Sequence, residues 1–376
     1  MTSAAISLQR TESGMVSPFV GYFIDRFGPR KVMLAGILVT GFGFILLGRI
    51  NSLWQFYAAF TLITLGMSFG TWMVVTTTVA NWFVALRTKA LALTSAGSAL
   101  GGLLVPVVIW LIATTDWRTG LIVIGVGFWL VGIPASLVMR RRPEDHGLLP
   151  DGRDPDTLDD DAPSGDGTAT TAPPPRNAEA SFTVRQALAT RAFWQMALAM
   201  GFGQLVMSAS IHQIPAITSF GFSRETAGLV MLTVSLTSLA GRIGSGIVGD
   251  KLDKRKVIAA AFACQLIGTV IFANTRTPLH LVGFIFFWGV GFGASIPIRF
   301  ALLADYFGRT HFGSVMGIMM TVSTIFGVVG PVFVGWMFDV RGNYRDPFMI
   351  LSLTVLIAIP LVLGLHRPVV GETERT

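Results

Sequence analysis

This 376-residue chain has little charge. Asp, Glu, Lys and Arg make up 13% of it, about half the roughly 25% of an average soluble domain. That is too little to cover a water-facing surface, and it excludes both a disordered chain and an ordinary soluble enzyme. Cysteine is nearly absent: Cys264 stands alone inside an apolar run, so no disulfide framework exists. There are only 4 Tyr beside 28 Phe. No HExxH, Walker or CxxC pattern occurs, and with them go the commonest signatures of zinc hydrolysis, nucleotide binding and thiol redox chemistry. No cofactor, no metal and no enzyme activity are expected. Apolar residues fill the space instead, at 52% of the chain with 42 Gly and a mean hydropathy of +0.64. Such a composition implies an all-α polytopic membrane protein with the lipid bilayer as its main partner.

The net charge of +7 is unevenly spread. Residues 143–180 hold ten acids against Arg153 and Arg176, a local −8, so the rest of the chain carries +15. Nucleic-acid binding would require a basic face on a soluble fold. Here the bases stand in short clusters between apolar runs, which is the pattern of membrane topology. Apolar stretches long enough to cross the hydrocarbon core occur at 4–24, 31–50, 53–80, 90–113, 118–139, 191–216, 225–249, 256–274, 279–304, 312–338 and 347–366. Each must be helical to satisfy its backbone in lipid. Alternate connections carry most Lys and Arg, for example Arg26, Arg30 and Lys31, then Arg140 to Arg142, then Lys251, Lys254, Arg255 and Lys256. The basic set is expected to be cytoplasmic, together with the central linker and the C-terminus, in a multi-pass protein of the plasma or inner membrane. Residue 1 then starts outside with no signal-peptide pattern, and an additional helix upstream is expected. Residues 143–180 are Pro-rich and acidic and should be disordered, with a short interfacial helix at 182–190.

The two halves repeat. Gly21-Tyr-Phe-Ile-Asp25-Arg26-Phe27-Gly28-Pro29-Arg30-Lys31 aligns with Gly246-Ile-Val-Gly-Asp250-Lys251-Leu252-Asp253-Lys254-Arg255-Lys256 at an offset of 225. Asn81-Trp82-Phe83 aligns with Asp305-Tyr306-Phe307, and Pro106 with Pro331. The copies run in the same orientation, so the repeat is parallel about an axis normal to the membrane. It requires six spans per half, and the first half shows five. On these residues the chain resembles the major facilitator superfamily, over nearly its whole length. The stretch from Gly21 to Lys31 is similar to that superfamily's loop motif between its second and third helices. The resemblance implies two pseudo-symmetric helical bundles with eleven of twelve helices present: 1–139, a linker at 140–190, 191–366 and a tail at 367–376. It also implies that the loop latches the two halves on the cytoplasmic side through Gly21, Asp25, Arg26, Gly28, Arg30 and Lys31. Gly246, Asp250, Lys254 and Lys256 repeat these positions, while Asp253 replaces the turn glycine and should weaken or reshape the second latch. Gly241-Arg242-Ile243-Gly244-Ser245-Gly246, Leu303-Ala304-Asp305-Tyr306-Phe307-Gly308-Arg309 and Gly330-Pro331 are similar to the monocarboxylate and oxalate/formate branch of the superfamily.

Ionisable groups inside spans are costly and mark functional candidates. Arg242 lies about 7.5 Å past the middle of its span at 1.5 Å per residue, too deep to snorkel easily. Its fork of donors suits a carboxylate, so it is either the anion ligand or half of an ion pair with Asp250 or another helix. Glu12 is the one carboxylate deep in a span and is the first candidate for proton coupling, with a structural ion pair as the alternative. Arg10, two residues away, points elsewhere on the helix. His212 is a candidate for substrate contact or a proton gate, Gln204 for cavity lining. Arg299, about one turn from the end of 279–304, is expected to snorkel or pair. Trp54, Tyr57, Trp82, Trp110 and Trp117 fall near span ends as interface anchors. Gly244-x-Gly246-x-x-Gly249 and Gly66-Met67-Ser68-Phe69-Gly70 imitate dinucleotide and hydrolase motifs but sit inside apolar helices, where neither a βαβ unit nor a nucleophile elbow can form.

The expected function is a monomeric secondary transporter that moves a small, monocarboxylate-like organic anion by alternating access, as a symporter or antiporter, with protons as a possible co-substrate. Efflux of drug-like compounds and a non-transporting membrane protein are the alternatives.

Overall fold

The computed structural model describes residues 2–101, 105–152 and 182–368, leaving aside the side chains of 2–13, 99–100, 105–106 and 109. No strand occurs among the described residues. The first half comprises α1 (Thr2–Phe27), α2 (Pro29–Leu47), α3 (Leu53–Gly70), α4 (Trp72–Trp82), α5 (Arg87–Leu100), α6 (Val105–Thr114) and α7 (Trp117–Val138). After the linker come α8 (Val184–Ala189), α9 (Arg191–Ser208), α10 (Gln213–Ser219), α11 (Arg224–Gly249), α12 (Lys254–Ala273), α13 (Pro278–Phe307), α14 (Phe312–Arg341) and α15 (Arg345–Leu363).

The helix starts follow from side-chain chemistry. Ser52, Thr190 and Ser223 accept hydrogen bonds from the amides of Gln55, Phe193 and Thr226, and Asp116 accepts from Arg118 and Thr119. Each satisfies donors that a helix N-terminus leaves without a partner. Pro29 and Pro278 open α2 and α13, where a missing N–H costs nothing. Short α8 carries a reciprocal capping box between Thr183 and Gln186. Gly28 separates α1 from α2 at φ 85°, a conformation an L-residue rarely adopts.

Among the described residues, eight helical segments are long and apolar enough to cross a membrane: Pro29–Leu47, Leu53–Trp82, Trp117–Val138, Arg224–Gly249, Lys254–Ala273, Pro278–Phe307, Phe312–Arg341 and Arg345–Leu363. Helix α1, the pair α5 and α6, and the pair α9 and α10 fall at the other expected positions. Two spans expected to be continuous are broken. Thr71 (φ −129°, ψ −109°) divides α3 from α4, and a 3₁₀ turn at Ala209–His212 divides α9 from α10. The linker also differs from expectation at its start. Residues 143–152 are folded into two 3₁₀ turns, because Trp82 Nε1 donates to the Arg140 carbonyl at 3.0 Å and Asp151 is held by backbone amides described below. Residues 153–181 lie outside the described residues.

Packing repeats between the halves. Helix α2 lies against α3 and α7, as α12 lies against α13 and α15. In the second half α9 also packs on α14 and α15. The counterparts of those two, α5 and α7, have no such helix between them among the described residues. Only 11% of the apolar window of α7 is buried, against 39% for α15. The halves meet chiefly along two helix pairs, α1 with α14 and α5 with α11, with smaller contacts of α5 and α4 on α13. Both contacts use small residues, which let backbones approach when no water is available to drive burial. A Cβ on Gly21 would collide with the Gly313 carbonyl, and one on Gly317 with the Ser17 carbonyl. On the other pair, a Cβ on Gly246 would fall 2.5 Å from the Ala92 Cβ.

Candidate functional site

The end of the bundle that carries the basic loops is closed by two related contacts. The Asp25 carboxylate, at the end of α1, accepts hydrogen bonds from the amides of Gly313 (3.1 Å) and Ser314 (2.7 Å) and from Ser314 Oγ (2.6 Å). The Asp250 carboxylate, at the end of α11, accepts from the amides of Thr88 (2.8 Å) and Lys89 (2.9 Å). Each carboxylate thus caps a helix in the other half, α14 or α5. A negative charge belongs at these N-termini, where free N–H groups and the helix dipole both favour it. The glycines at 21 and 246 supply the close approach that brings each carboxylate within reach. The second contact forms although Asp253 stands where the first copy has Gly28. Asp253 keeps an ordinary φ of −60°, accepts from the Arg255 amide and starts α12. The Arg255 guanidinium, 2.7 Å away, holds the Asp253 carboxyl below its usual range.

The bases of the loop divide. Lys254 reaches Asp305 at 2.6 Å. Arg26 donates to the Tyr22 hydroxyl within its own helix, while Arg30, Lys31 and Lys256 are exposed. Sequence reasoning missed the stronger network beside them. Asp305 also pairs with Arg87 at 2.6 Å, and Arg87 is fully buried, with Nε on the Phe83 carbonyl and Nη2 on the Ala80 carbonyl. Arg309 reaches back across the halves to the Asn81 carbonyl at 2.9 Å and pairs with Glu144 at 3.0 Å. Asp151 sits in the left-handed region (φ 63°) and accepts from the amides of Val84, Ala85 and Leu86 at 2.9–3.3 Å. The signal was present: Asp305 and Asn81 are repeat equivalents, at the two ends of the loops that meet here.

Deeper in the bundle lies a cavity of about 160 Å³, bounded by Ser17 of α1, Gln204 of α9, Arg299 and Phe300 of α13, and Ser323 and Thr324 of α14, with four methionines around them. Gln204 lines this cavity. Arg299 corrects the expectation that it snorkels. Helix α13 runs to Phe307 and not to 304, which puts Arg299 eight residues, or about 12 Å, from its end. Its Nε donates to the Ser295 carbonyl at 3.4 Å, and no carboxylate pairs with it among the described residues. Arg242 does not pair with Asp250, whose carboxylate is committed to α5. Its Nη1 instead donates to the Ser95 carbonyl and to Ser98 Oγ (3.1 Å) in the other half, and its Nε is buried without a partner. His212 is not at this cavity: its Nε2 bonds the Pro331 carbonyl at 3.0 Å, and its ring lies 6.1 Å from that of Tyr344. The side chains of Arg10 and Glu12 lie outside the described residues, on the stretch of α1 that precedes Ser17.

A parallel repeat, two carboxylate-capped helix junctions and a polar cavity between the halves define a fold that comparison can check. The model of the Major Facilitator Superfamily matches residues 3–223 and 206–375. The chain belongs to that superfamily. It is 22% identical over 349 residues to monocarboxylate transporter 13 of Bos taurus, covering 90% of this chain and 74% of that protein. It is 23% identical over 368 residues to an uncharacterized MFS-type transporter, YcxA, of Bacillus subtilis, covering 92% and 80%. Among solved structures, the human organic anion transporter MFSD10 aligns over 95% of this chain and 82% of its own at a TM-score of 0.71 and 16% identity. FucP in the outward conformation aligns over 98% and 91% at a TM-score of 0.71 and 14% identity. The superfamily member is thus a multi-pass membrane transporter with relatives that are transporters and not enzymes.

Proposed function

We propose that this transporter moves a small organic anion by alternating access, with the halves 1–139 and 191–366 rocking about the cavity that Arg299 and Gln204 line. The supporting observation is Arg299: a guanidinium on a membrane-spanning helix, facing a cavity, with no carboxylate paired to it among the described residues. Such a charge is costly to keep in the bilayer and serves a ligand or ion pathway. Arg242 supports it from α11, at the junction of the halves. The capped junctions at the basic end, which we assign to the cytoplasm, correspond to a state closed on that side. Relatives named as monocarboxylate transporters favour an anionic cargo over an apolar one. Energy comes from an ion or substrate gradient, and Glu12 on α1 is our candidate for handling a proton. Reconstitution into proteoliposomes tests this reading: labelled carboxylates should accumulate, faster with an imposed pH gradient if a proton is coupled. Accumulation of apolar or cationic compounds with no response to any carboxylate would replace it with the efflux reading.

A further inference from the structure

The Asp151 carboxylate is received by three consecutive backbone amides, those of Val84, Ala85 and Leu86, at 2.9–3.3 Å. These residues connect α4 to α5. Just beyond them, the amides of Thr88 and Lys89 receive Asp250 from the other half. Asp151 takes its place at φ 63°, in the left-handed region that few L-residues adopt. Such a conformation persists where surrounding contacts hold it. Those contacts make residues 140–151 a strap across the basic end. The Arg140 carbonyl accepts from Trp82 Nε1, and the Arg141 guanidinium donates to the Asp25 carbonyl at the end of α1. The strap then folds on itself, with the amides of His146 and Leu148 on the Pro143 carbonyl. From that turn Glu144 grips Arg309 of the second half at 3.0 Å, the same Arg309 that donates to the Asn81 carbonyl. Arg140, Arg141 and Asp151 thus anchor the strap to the first half, and Glu144 carries it across to the second. Opening this end takes Arg309 away from the first half, so the Glu144 pair must break each time.

We propose that residues 140–151 are a releasable restraint on opening: Asp151 positions the strap, and Glu144 uses it to hold the basic end closed. This rests on the alternating-access reading. The test uses the full chain in lipid nanodiscs, where a thiol reagent reaches both faces, with Ser95→Cys in a Cys264→Ser background. The rate of labelling reports opening at the junction of α5 and α11. Glu144→Gln breaks a partly exposed pair and should speed labelling about two- to fivefold. Asp151→Asn keeps a residue tolerant of the left-handed region and removes the charge. It should speed labelling by a similar factor, and should add little once Glu144→Gln is present, because a positioning residue acts through the group it positions. Raising the salt concentration should speed wild type more than Glu144→Gln, since an exposed pair is screened. Asp25→Ala, at the other junction, is the control that opens the same end without touching the strap's carboxylates. Unchanged labelling in Glu144→Gln beside faster labelling in Asp25→Ala overturns the restraint and leaves alternating access standing; it decides the matter even if Asp151→Asn fails to fold. Full additivity of Glu144→Gln and Asp151→Asn overturns the positioning role of Asp151. Unchanged labelling in every variant, Asp25→Ala included, overturns both the restraint and the reading beneath it.

Discussion

Asp305 compensates two cations at once, and one of them, Arg87, has no contact with solvent. Breaking such a pair from one side leaves an uncompensated buried charge, which costs about 3–5 kcal/mol. Asp305→Asn should therefore lower the unfolding temperature of the detergent-solubilised protein far more than changes at exposed Arg30 or Lys31. Adding Arg87→Met should recover part of the loss, because the stranded charge is then gone. The capping carboxylates are worth less individually. Replacing a charged helix cap costs about 0.5–2 kcal/mol, so Asp25→Ala and Asp250→Ala should each loosen the closed end by a similar amount. In a Cys264→Ser background, a cysteine at Ser95, buried beside the junction of the halves, should react several-fold faster with thiol reagents in either variant. Asp25 was legible in the sequence because its spacing from Gly21 and the bases repeats at an offset of 225. Arg299 was misplaced because sequence gives the depth of a residue only as well as it gives the helix end, and three further residues of α13 moved Arg299 inward. The pairing of Arg87 with Asp305 was invisible for another reason: the carboxylate comes from the opposite half, 218 residues away.

At the level of elements, the two copies of the loop reach the same end by different turns. Gly28 holds φ 85° and Asp253 holds φ −60°. Gly28→Ala should destabilise by about 1–2 kcal/mol, whereas Asp253→Gly should lose only a cap, a few tenths of a kcal/mol; urea or thermal unfolding in detergent measures both. The depressed Asp253 carboxyl sets a sign as well. Its pairing with Arg255 stabilises above the unfolded carboxyl range, near pH 4, and fades as pH falls through the depressed value. The stability difference between wild type and Asp253→Asn should therefore be flat from neutral pH down to that range and vanish below it. It should also be small, since the pair is about a third exposed. The closest helix crossing makes a further prediction. Gly21→Val cannot be accommodated against Gly313 and should open the α1–α14 junction with loss of transport, while the same change at Gly97, with nothing within 4 Å, should be tolerated. The helices themselves were readable from length and hydropathy. The interruption at Thr71 was not, because it lies inside an apolar run without a proline; the one at Ala209–His212 had a single signal, Pro215, which cannot donate to the Ile211 carbonyl. The folded start of the linker was hidden by its own composition: Asp151 reads as one more acid in an acidic segment until the three amides of residues 84–86 are seen to converge on it.

Across the whole molecule, contacts between the halves concentrate at the basic end, with ion pairs, caps and the first turns of the linker all at one end of the cavity. Loop charge assigns that end to the cytoplasm, and a membrane-impermeant reagent should label cysteines at Thr310 or Lys251 only in inverted vesicles. The fold class and the pseudo-symmetry were available from composition and repeat alone, since lipid permits few alternatives. The cavity was not, because it arises where α1, α9, α13 and α14 converge and no segment encodes it by itself. The most direct test of the account is carboxylate counterflow in proteoliposomes, wild type against Arg299→Gln, with the amount of correctly folded protein matched. The account predicts exchange of a labelled carboxylate in wild type and a loss of about tenfold or more in the variant. Equal exchange in the two proteins would contradict it.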